Sequence, residues 1–139
     1  MAQTRALKTL RACGTGTIIA TQGKYFQQRA AVAAFAESTL LHSSDIVHAA
    51  LAVQRVVLER VHSSPGSDRK REDFRALRHA LGYAMSVVTA VAPESGFALM
   101  HQCARWGDTD INWILRENLK KKRLAKFVEY TEVLSKLLA

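Results

Sequence analysis

Apolar residues recur every three or four positions along most of this chain, a spacing typical of amphipathic α-helices. Residues 106–124 show the pattern most completely. One stripe of that segment is apolar and consists of Ile111, Ile114, Leu115 and Leu119. A second stripe faces away from the first and is basic, with Arg116, Lys120 and Arg123. The segment is therefore predicted to be one helix with a buried side and a basic outer side.

Both ends of this helix carry local signals. Gly107 can adopt the left-handed conformation that stops a preceding helix. Asp108 or Thr109 can cap the next helix by accepting a hydrogen bond from an unpaired backbone N–H. Asp110 in the first turn and the cations of residues 120–123 in the last turn complement the helix dipole.

The same periodicity predicts about six helices in all, together with a short helix-like segment near the start of the chain. The other predicted segments are residues 2–12, residues 24–41, residues 46–61 after a Ser43-Ser44-Asp45 cap, a long helix ending at Ala92, one opened by Pro93, and residues 127–138. Residues 62–68 are rich in Pro, Gly and Ser, which predicts an internal loop within a single domain spanning residues 1–139. Short loops make neighbouring helices antiparallel, so the chain is expected to form either stacked helix pairs or a bundle.

Several residues between 93 and 127 follow a known pattern: Pro93, Gly96-Phe97, Cys103-Ala104-Arg105-Trp106, Asp108, Asp110, Trp113-Ile114 and residues 116–121. This segment resembles the last unit of a HEAT-like α-helical repeat protein. The resemblance implies a curved stack of helix pairs that binds a protein or a nucleic acid, usually without catalysis. We therefore expect an all-α fold in which antiparallel helix pairs stack as a short HEAT-like solenoid, with a compact helical bundle as the alternative.

Charge adds a second expectation. The 139 residues include 20 Lys and Arg against 12 Asp and Glu, which gives a net charge of +8. Such an excess favours an acidic partner, namely nucleic acid, an anionic membrane surface or an acidic protein, although the charge can also serve solubility alone. Cys13 and Cys103 have no CxxC spacing, and no apolar run reaches membrane-spanning length. We expect a soluble, cytoplasmic protein with reduced thiols.

No catalytic or metal-binding pattern stands out. Glu59 and His62 have the spacing of a di-iron ligand pair, but the sequence has no second ExxH to complete such a site. His101 and Cys103 diverge by about 200° on a helix and cannot share one metal. We therefore expect no catalytic residues, no metal and no cofactor, and a protein that is not an enzyme.

The candidate binding residues are two groups of cations. The first basic cluster consists of Arg69, Lys70, Arg71, Arg75 and Arg78. The second basic cluster consists of Arg116, Lys120 and Arg123, with Lys121, Lys122 and Lys126 beside them. If both clusters line one side, they form a groove for phosphates, and if they point apart they are solvated faces.

Trp106, Asp108, Asp110, Trp113 and Arg116 form a W-x-D-x-D-x-x-W-x-x-R arrangement. It is similar to that of bacterial DNA-alkylation-repair glycosylases with HEAT-like repeats, and this implies aromatic and acidic side chains beside a damaged base. The alternative interpretation is that the tryptophans pack between helices and Asp108 is a helix cap. Our leading hypothesis is a non-catalytic interaction scaffold that binds an acidic macromolecule, most readily a protein. The alternatives are a nucleic-acid-binding protein and a bundle that binds a second copy of itself.

Overall fold

Six α-helices and two short 3-10 turns follow one another in the computed structural model, which describes residues 24–37 and 41–139. The helices are α1 (Tyr25–Ala34), α2 (Ser44–Ser63), α3 (Glu72–Val91), α4 (Pro93–Ala104), α5 (Thr109–Leu119) and α6 (Val128–Leu137). The 3-10 turns, Asp68–Lys70 and Lys122–Leu124, precede α3 and α6. These residues contain no strand, so the prediction of an all-α fold is confirmed. The expected helix over residues 2–12 and the segment 13–23 lie outside the described residues.

Three helix starts follow the signals in the sequence. The side chain of Ser43 accepts a hydrogen bond from the N–H of Ile46 at 3.2 Å and caps α2. Pro93 occupies the first turn of α4, where its missing N–H costs nothing. Asp108, rather than Thr109, caps α5 by accepting from the N–H groups of residues 110 and 111. Gly107 lies between α4 and α5 with a φ of 67°, in the left-handed region that stops the preceding helix and that glycine adopts easily.

Helix α3 lies at the centre of the molecule. It contacts α1, α2, α4 and α5, and its side chains Phe74, Leu77, Leu81 and Met85 are fully buried. Helices α1, α3 and α5 lie side by side in one row, and α2, α4 and α6 form a second row. Each helix also contacts the helices that precede and follow it in the sequence, which lie in the other row. Stacked helix pairs and a short two-layer bundle share this arrangement, so the HEAT-like solenoid stays a prediction.

Three predicted boundaries differ from the structure. Helix α1 ends at Ala34, well before the predicted residue 41. Helix α2 continues through His62 to Ser63, and the 3-10 turn begins at Asp68, so the loop within residues 62–68 is shorter than expected. Helix α5 ends at Leu119, and Lys120 is its C-cap. The chain then becomes extended at Lys121, and this turn brings Leu124 to full burial. The cations of residues 120–123 therefore do not form a last helical turn.

The buried side of α1 is not the one that the alanines indicate. Phe26, Ala30 and Ala33 are exposed, whereas Gln28 is buried together with Ala31, Val32 and Phe35. Alanine occurs on every side of this helix and therefore marks no face. The one polar residue of the buried side, Gln28, interrupts the apolar period.

The last helix is less buried than its sequence indicates. Of its apolar residues and the one that follows it, Leu134 and Leu138 are buried, while Val128, Tyr130 and Leu137 are exposed. Helix α4 likewise leaves one side open to solvent.

Candidate interaction surface

Arg69 of the first basic cluster donates hydrogen bonds to acceptors within the protein itself. Its Nη1 and Nη2 atoms donate to Oδ1 and Oδ2 of Asp108 at 3.0 and 2.9 Å, and Nη1 also donates to Asp110 at 2.8 Å. The remaining N–H groups donate to the backbone carbonyls of Val61, His62 and Ser64. All of these acceptors belong to the protein itself, so Arg69 joins the end of α2 to the start of α5 and its charge is paired within the protein.

Asp108 is held as an anion by this network. Burial alone would raise its pKa, but hydrogen bonds from Arg69, from His62 and from the backbone N–H of Ile111 outweigh burial. They lower the pKa of Asp108 to about 2 from its ordinary value of 3.8. His62 contributes through Nδ1, which lies 2.9 Å from Oδ2, and its ring stacks on Trp106 with centroids 5.0 Å apart.

Two further cations of the first basic cluster also have carboxylate partners. Arg78 lies 2.9 Å from Oδ1 of Asp110 and its guanidinium lies 3.8 Å from the centroid of the Trp113 ring. Arg71 forms a two-point contact with Asp73 at 3.1 and 3.0 Å. Carboxylates of the chain itself therefore neutralise most of this cluster.

Lys70 and Arg75 are the members of the first basic cluster that remain available. Both are exposed, and neither forms an ion pair with a described residue. Of the five cations in the first basic cluster, two therefore have no ion pair with a described residue.

The second basic cluster divides in a similar way. Arg116 donates to the carbonyl oxygen of Leu138 at 2.7 Å and so attaches the end of the chain to α5. Lys120 pairs with Glu117 at 2.9 Å. The pairing lowers the pKa of Glu117.

Lys121 and Arg123 converge on one exposed aromatic ring. The Nζ atom of Lys121 lies 5.8 Å from the centroid of the Tyr83 ring, and the guanidinium carbon of Arg123 lies 4.8 Å from it. The Tyr83 side chain is 49% exposed. We call these three residues the Tyr83 patch. A cleft of about 550 Å³ opens beside it, bounded by Arg123 on one side and containing one carboxylate, Glu37.

The two basic clusters meet along α3. Arg75, His79 and Tyr83 are exposed and spaced four residues apart, so they follow one ridge of that helix. Eight residues of helix span about 12 Å. The available cation Arg75 therefore lies on the same ridge as the Tyr83 patch, whereas Arg69 and Arg78 are turned towards the carboxylates at the start of α5.

The tryptophans and aspartates of the glycosylase-like arrangement occupy packing positions. Trp106 is half-buried against His62, and Trp113 lies between Arg78 and Gly82. An added Cβ at Gly82 would lie 3.2 Å from the Trp113 ring, so glycine allows this close approach. Both oxygens of Asp108 accept hydrogen bonds from protein donors. This geometry supports the interpretation of Asp108 as a cap and an ion-pair partner.

Metal and thiol chemistry have little support here. Among the described residues, no group of three His, Cys, Asp or Glu side chains is placed to hold a metal ion. His62 turns to Asp108 instead of joining Glu59. Burial raises the pKa of the Cys103 thiol to about 12, so the thiolate that nucleophilic or metal chemistry requires is scarce at neutral pH.

Two residues of structural importance carry no signal in the sequence. Asn118 is fully buried, where its Oδ1 accepts from the N–H of Ser86 and its Nδ2 donates to the carbonyls of Leu81 and Ile114. The cations that contact the Tyr83 ring lie about 40 residues away along the chain. Neither relationship is local, so no motif could have revealed it.

No described helix combines the length and the apolar character needed to cross a membrane. Comparisons with protein-family models, with curated proteins and with solved structures each give no significant match to this chain.

Proposed function

We propose that this chain is a non-catalytic helical interaction module that binds an acidic macromolecular partner through the Tyr83 patch and the α3 ridge beside it. The observation that carries the proposal is the convergence of Lys121 and Arg123 on a half-exposed ring. Neither cation forms a direct ion pair with a carboxylate of the described residues, although Glu117 is near enough to Lys121 for the cation to help lower the Glu117 pKa. Their positive charge is therefore available to an external anion.

The position of the unpaired charge supports this surface over the others. Arg69, Arg71, Arg78 and Lys120 each form an ion pair with a carboxylate of the chain. Each of these cations would have to exchange a carboxylate of the chain for an anion of the partner, whereas Lys121 and Arg123 would not. The exposed Arg75 and His79 extend the Tyr83 patch along α3 and give it the length of two helical turns.

A scaffold role agrees with the arrangement of the helices. The two rows of alternating helices contact each other in the order that stacked helix pairs would produce. Such modules bind partners on an exposed row of helices, and α3 and α5 present the Tyr83 patch on one row. The HEAT-like resemblance of residues 93–127 supports the same role.

Nucleic acid is the second candidate partner, and one observation favours it. An exposed tyrosine flanked by cations can stack a base while Lys and Arg contact the neighbouring phosphates. An acidic protein would use the cations alone. The contribution of the Tyr83 ring therefore distinguishes the two partners.

Fluorescence anisotropy across a salt series tests the proposal. The probes are a labelled polyglutamate peptide and a labelled DNA single strand of about 20 nucleotides, a length that covers more than one typical site. The Lys121→Ser/Arg123→Ser variant should lose about tenfold in affinity and show a shallower salt dependence, because it contacts fewer anions. Arg105→Ser/Lys136→Ser removes the same charge from exposed positions elsewhere and should have little effect.

The expected results differ for the two partners. Tyr83→Ala should weaken binding to the single strand by about tenfold and leave polyglutamate binding nearly unchanged if nucleic acid is the partner. Equal losses in the two charge variants would mean that only net charge matters, and the proposal would then be wrong. Absence of binding to either probe at low salt would also reject it.

A further inference from the structure

Helix α6 carries an exposed apolar side. Among the described residues, four of the seven large hydrophobic side chains that are exposed belong to this one helix: Val128, Tyr130, Val133 and Leu137. Tyr130, Val133 and Leu137 are three and four residues apart and therefore follow one stripe. Two aliphatic side chains, Leu134 and Leu138, together with the ring of Tyr130 stacked on Phe97, hold the helix to the core. The apolar surface of α6 thus exceeds what its own packing uses.

This stripe borders a groove between α4 and α6. The groove has a volume of about 360 Å³ and is lined from α4 by Glu94, Phe97 and Ala98. Its floor is the buried ring of Phe97, on which Tyr130 stacks with centroids 4.8 Å apart and planes inclined by 3°. The stripe from Tyr130 to Leu137 is about 10 Å long, which is the length of two helical turns. A helix of another protein can lie along such a groove and place one row of its side chains between the two helices that form it.

The groove is acidic in a basic protein. Glu94 and Glu129 stand on its two sides, and neither forms an ion pair with a described residue. No Lys or Arg is among the residues that line it, and His101 is the remaining ionisable side chain. The chain as a whole has a net charge of +8, so the negative charge of the groove is opposite in sign to the net charge of the protein. Charge complementarity therefore selects a cationic occupant.

We propose that the groove between α4 and α6 binds a basic amphipathic helix of a partner protein. The apolar stripe of that helix would contact Tyr130, Val133 and Leu137, and Lys or Arg residues on both sides of its stripe would pair with Glu94 and Glu129. This surface is separate from the Tyr83 patch and of opposite charge, so the inference does not depend on the proposed function.

Fluorescence anisotropy with designed peptides of about 18 residues, roughly 27 Å of helix, tests the inference. The basic peptide has leucine at positions i, i+3, i+4 and i+7 of each repeat and lysine at the others. An acidic peptide has glutamate in place of lysine, and a scrambled peptide keeps the basic composition without the leucine stripe. We expect the full-length protein to bind the basic amphipathic peptide at least about tenfold more tightly than the scrambled one.

Variants identify the surface. Glu94→Gln/Glu129→Gln and Val133→Ser/Leu137→Ser should each weaken binding of the basic peptide by about tenfold or more. Asp45→Asn/Glu72→Gln is the matched control, because it also removes two exposed carboxylates from first helical turns, and neither residue lines the groove. The control should bind the peptide within about twofold of the unmodified protein. All of the substituted side chains are exposed, and circular dichroism checks that each variant keeps its helices.

Three results would overturn the inference. The first is equal affinity for the basic and the scrambled peptide, and the second is an equal loss in the control variant and the Glu94→Gln/Glu129→Gln variant. The third is a concentration-dependent dimer in light scattering that Val133→Ser/Leu137→Ser abolishes, because a second copy of the chain would then occupy the groove. Binding of the acidic peptide that depends on Lys121 and Arg123 would instead report on the Tyr83 patch, and it decides the proposed function separately.

Discussion

The guanidinium of Arg69 contacts both carboxylate oxygens of Asp108, at 3.0 and 2.9 Å, across 39 residues of the chain. The Asp108 side chain is only 5% exposed, so its charge depends on this partner. The same arginine also satisfies the carbonyl groups at the end of α2. One side chain therefore connects two helix ends that the sequence keeps far apart.

Arg69→Ala should destabilise the protein by about 3 kcal/mol, because it leaves a nearly buried carboxylate without its main partner. Urea denaturation followed by circular dichroism measures the change. Lys70→Ala is the matched control, since Lys70 is the exposed neighbour in the same 3-10 turn, and it should change the free energy of unfolding by less than about 0.5 kcal/mol. Similar losses in both variants would contradict the role assigned to Arg69.

Acid should weaken the protein through Asp108. Its pKa in the folded protein is about 2, below the ordinary value of 3.8, so the folded state binds this proton less readily than the unfolded state. The carboxylate therefore contributes about 2 kcal/mol of stability above pH 4, and this contribution disappears as the pH falls towards 2. Urea midpoints measured between pH 5 and 2 should fall less steeply for Asp108→Asn than for the unmodified protein. Equal slopes would show that other groups govern acid unfolding.

The polar residues of the core should differ in importance. Asn118→Leu should cost about 2–3 kcal/mol, because both ends of its amide are hydrogen-bonded and the N–H of Ser86 and the carbonyl of Leu81 would lose their partner. Gln54→Leu should cost less than about 1 kcal/mol, because the Gln54 amide donates one bond, to the Ala84 carbonyl at 3.3 Å, while its Oε1 has no partner among the described residues. Thermal and urea denaturation of the two variants side by side measures the difference.

Gly96→Ala should destabilise the contact between α3 and α4. A Cβ at this position would lie 2.5 Å from Oγ1 and 2.6 Å from Cα of Thr89, and the second of these is a backbone atom that cannot move independently. We expect a loss of about 2 kcal/mol in the free energy of unfolding. Gly66→Ala is the control, because nothing lies within 4 Å of its added Cβ, and it should be nearly neutral. A neutral Gly96→Ala variant would mean that the two helices are less tightly packed than the structure has them.

Local signals in the sequence were enough to place most of the helices. Ser43, Pro93, Gly107 and Asp108 act on backbone groups within three residues of themselves, so α2, α4 and α5 begin close to where the pattern predicts. The buried face of α1 cannot be identified from the sequence, because alanines surround that helix and Gln28 is buried. Where alanine is the commonest residue, periodicity carries little information about burial.

The basic clusters could be found in the sequence, but their roles could not. Arg69 and Arg75 are equivalent in a list of cations, yet one is enclosed by carboxylates of α5 and the other is exposed. The difference depends on which distant residues the fold brings near, and spacing along one helix does not contain that information. The Tyr83 patch and the groove beside α6 were missed for the same reason, since each joins residues from separate helices.

The central position of α3 implies that the helices unfold locally with different ease. Because four other helices cover it, its amide protons should exchange with deuterium only when the whole molecule unfolds. Helix α6 packs on the core through fewer residues than the other helices, chiefly Leu134 and Leu138 with Tyr130 stacked on Phe97, so it should detach in brief local openings. Within the described part of the chain, trypsin should then cut early after Lys126, just ahead of α6, and a ligand held between α4 and α6 should slow that cleavage.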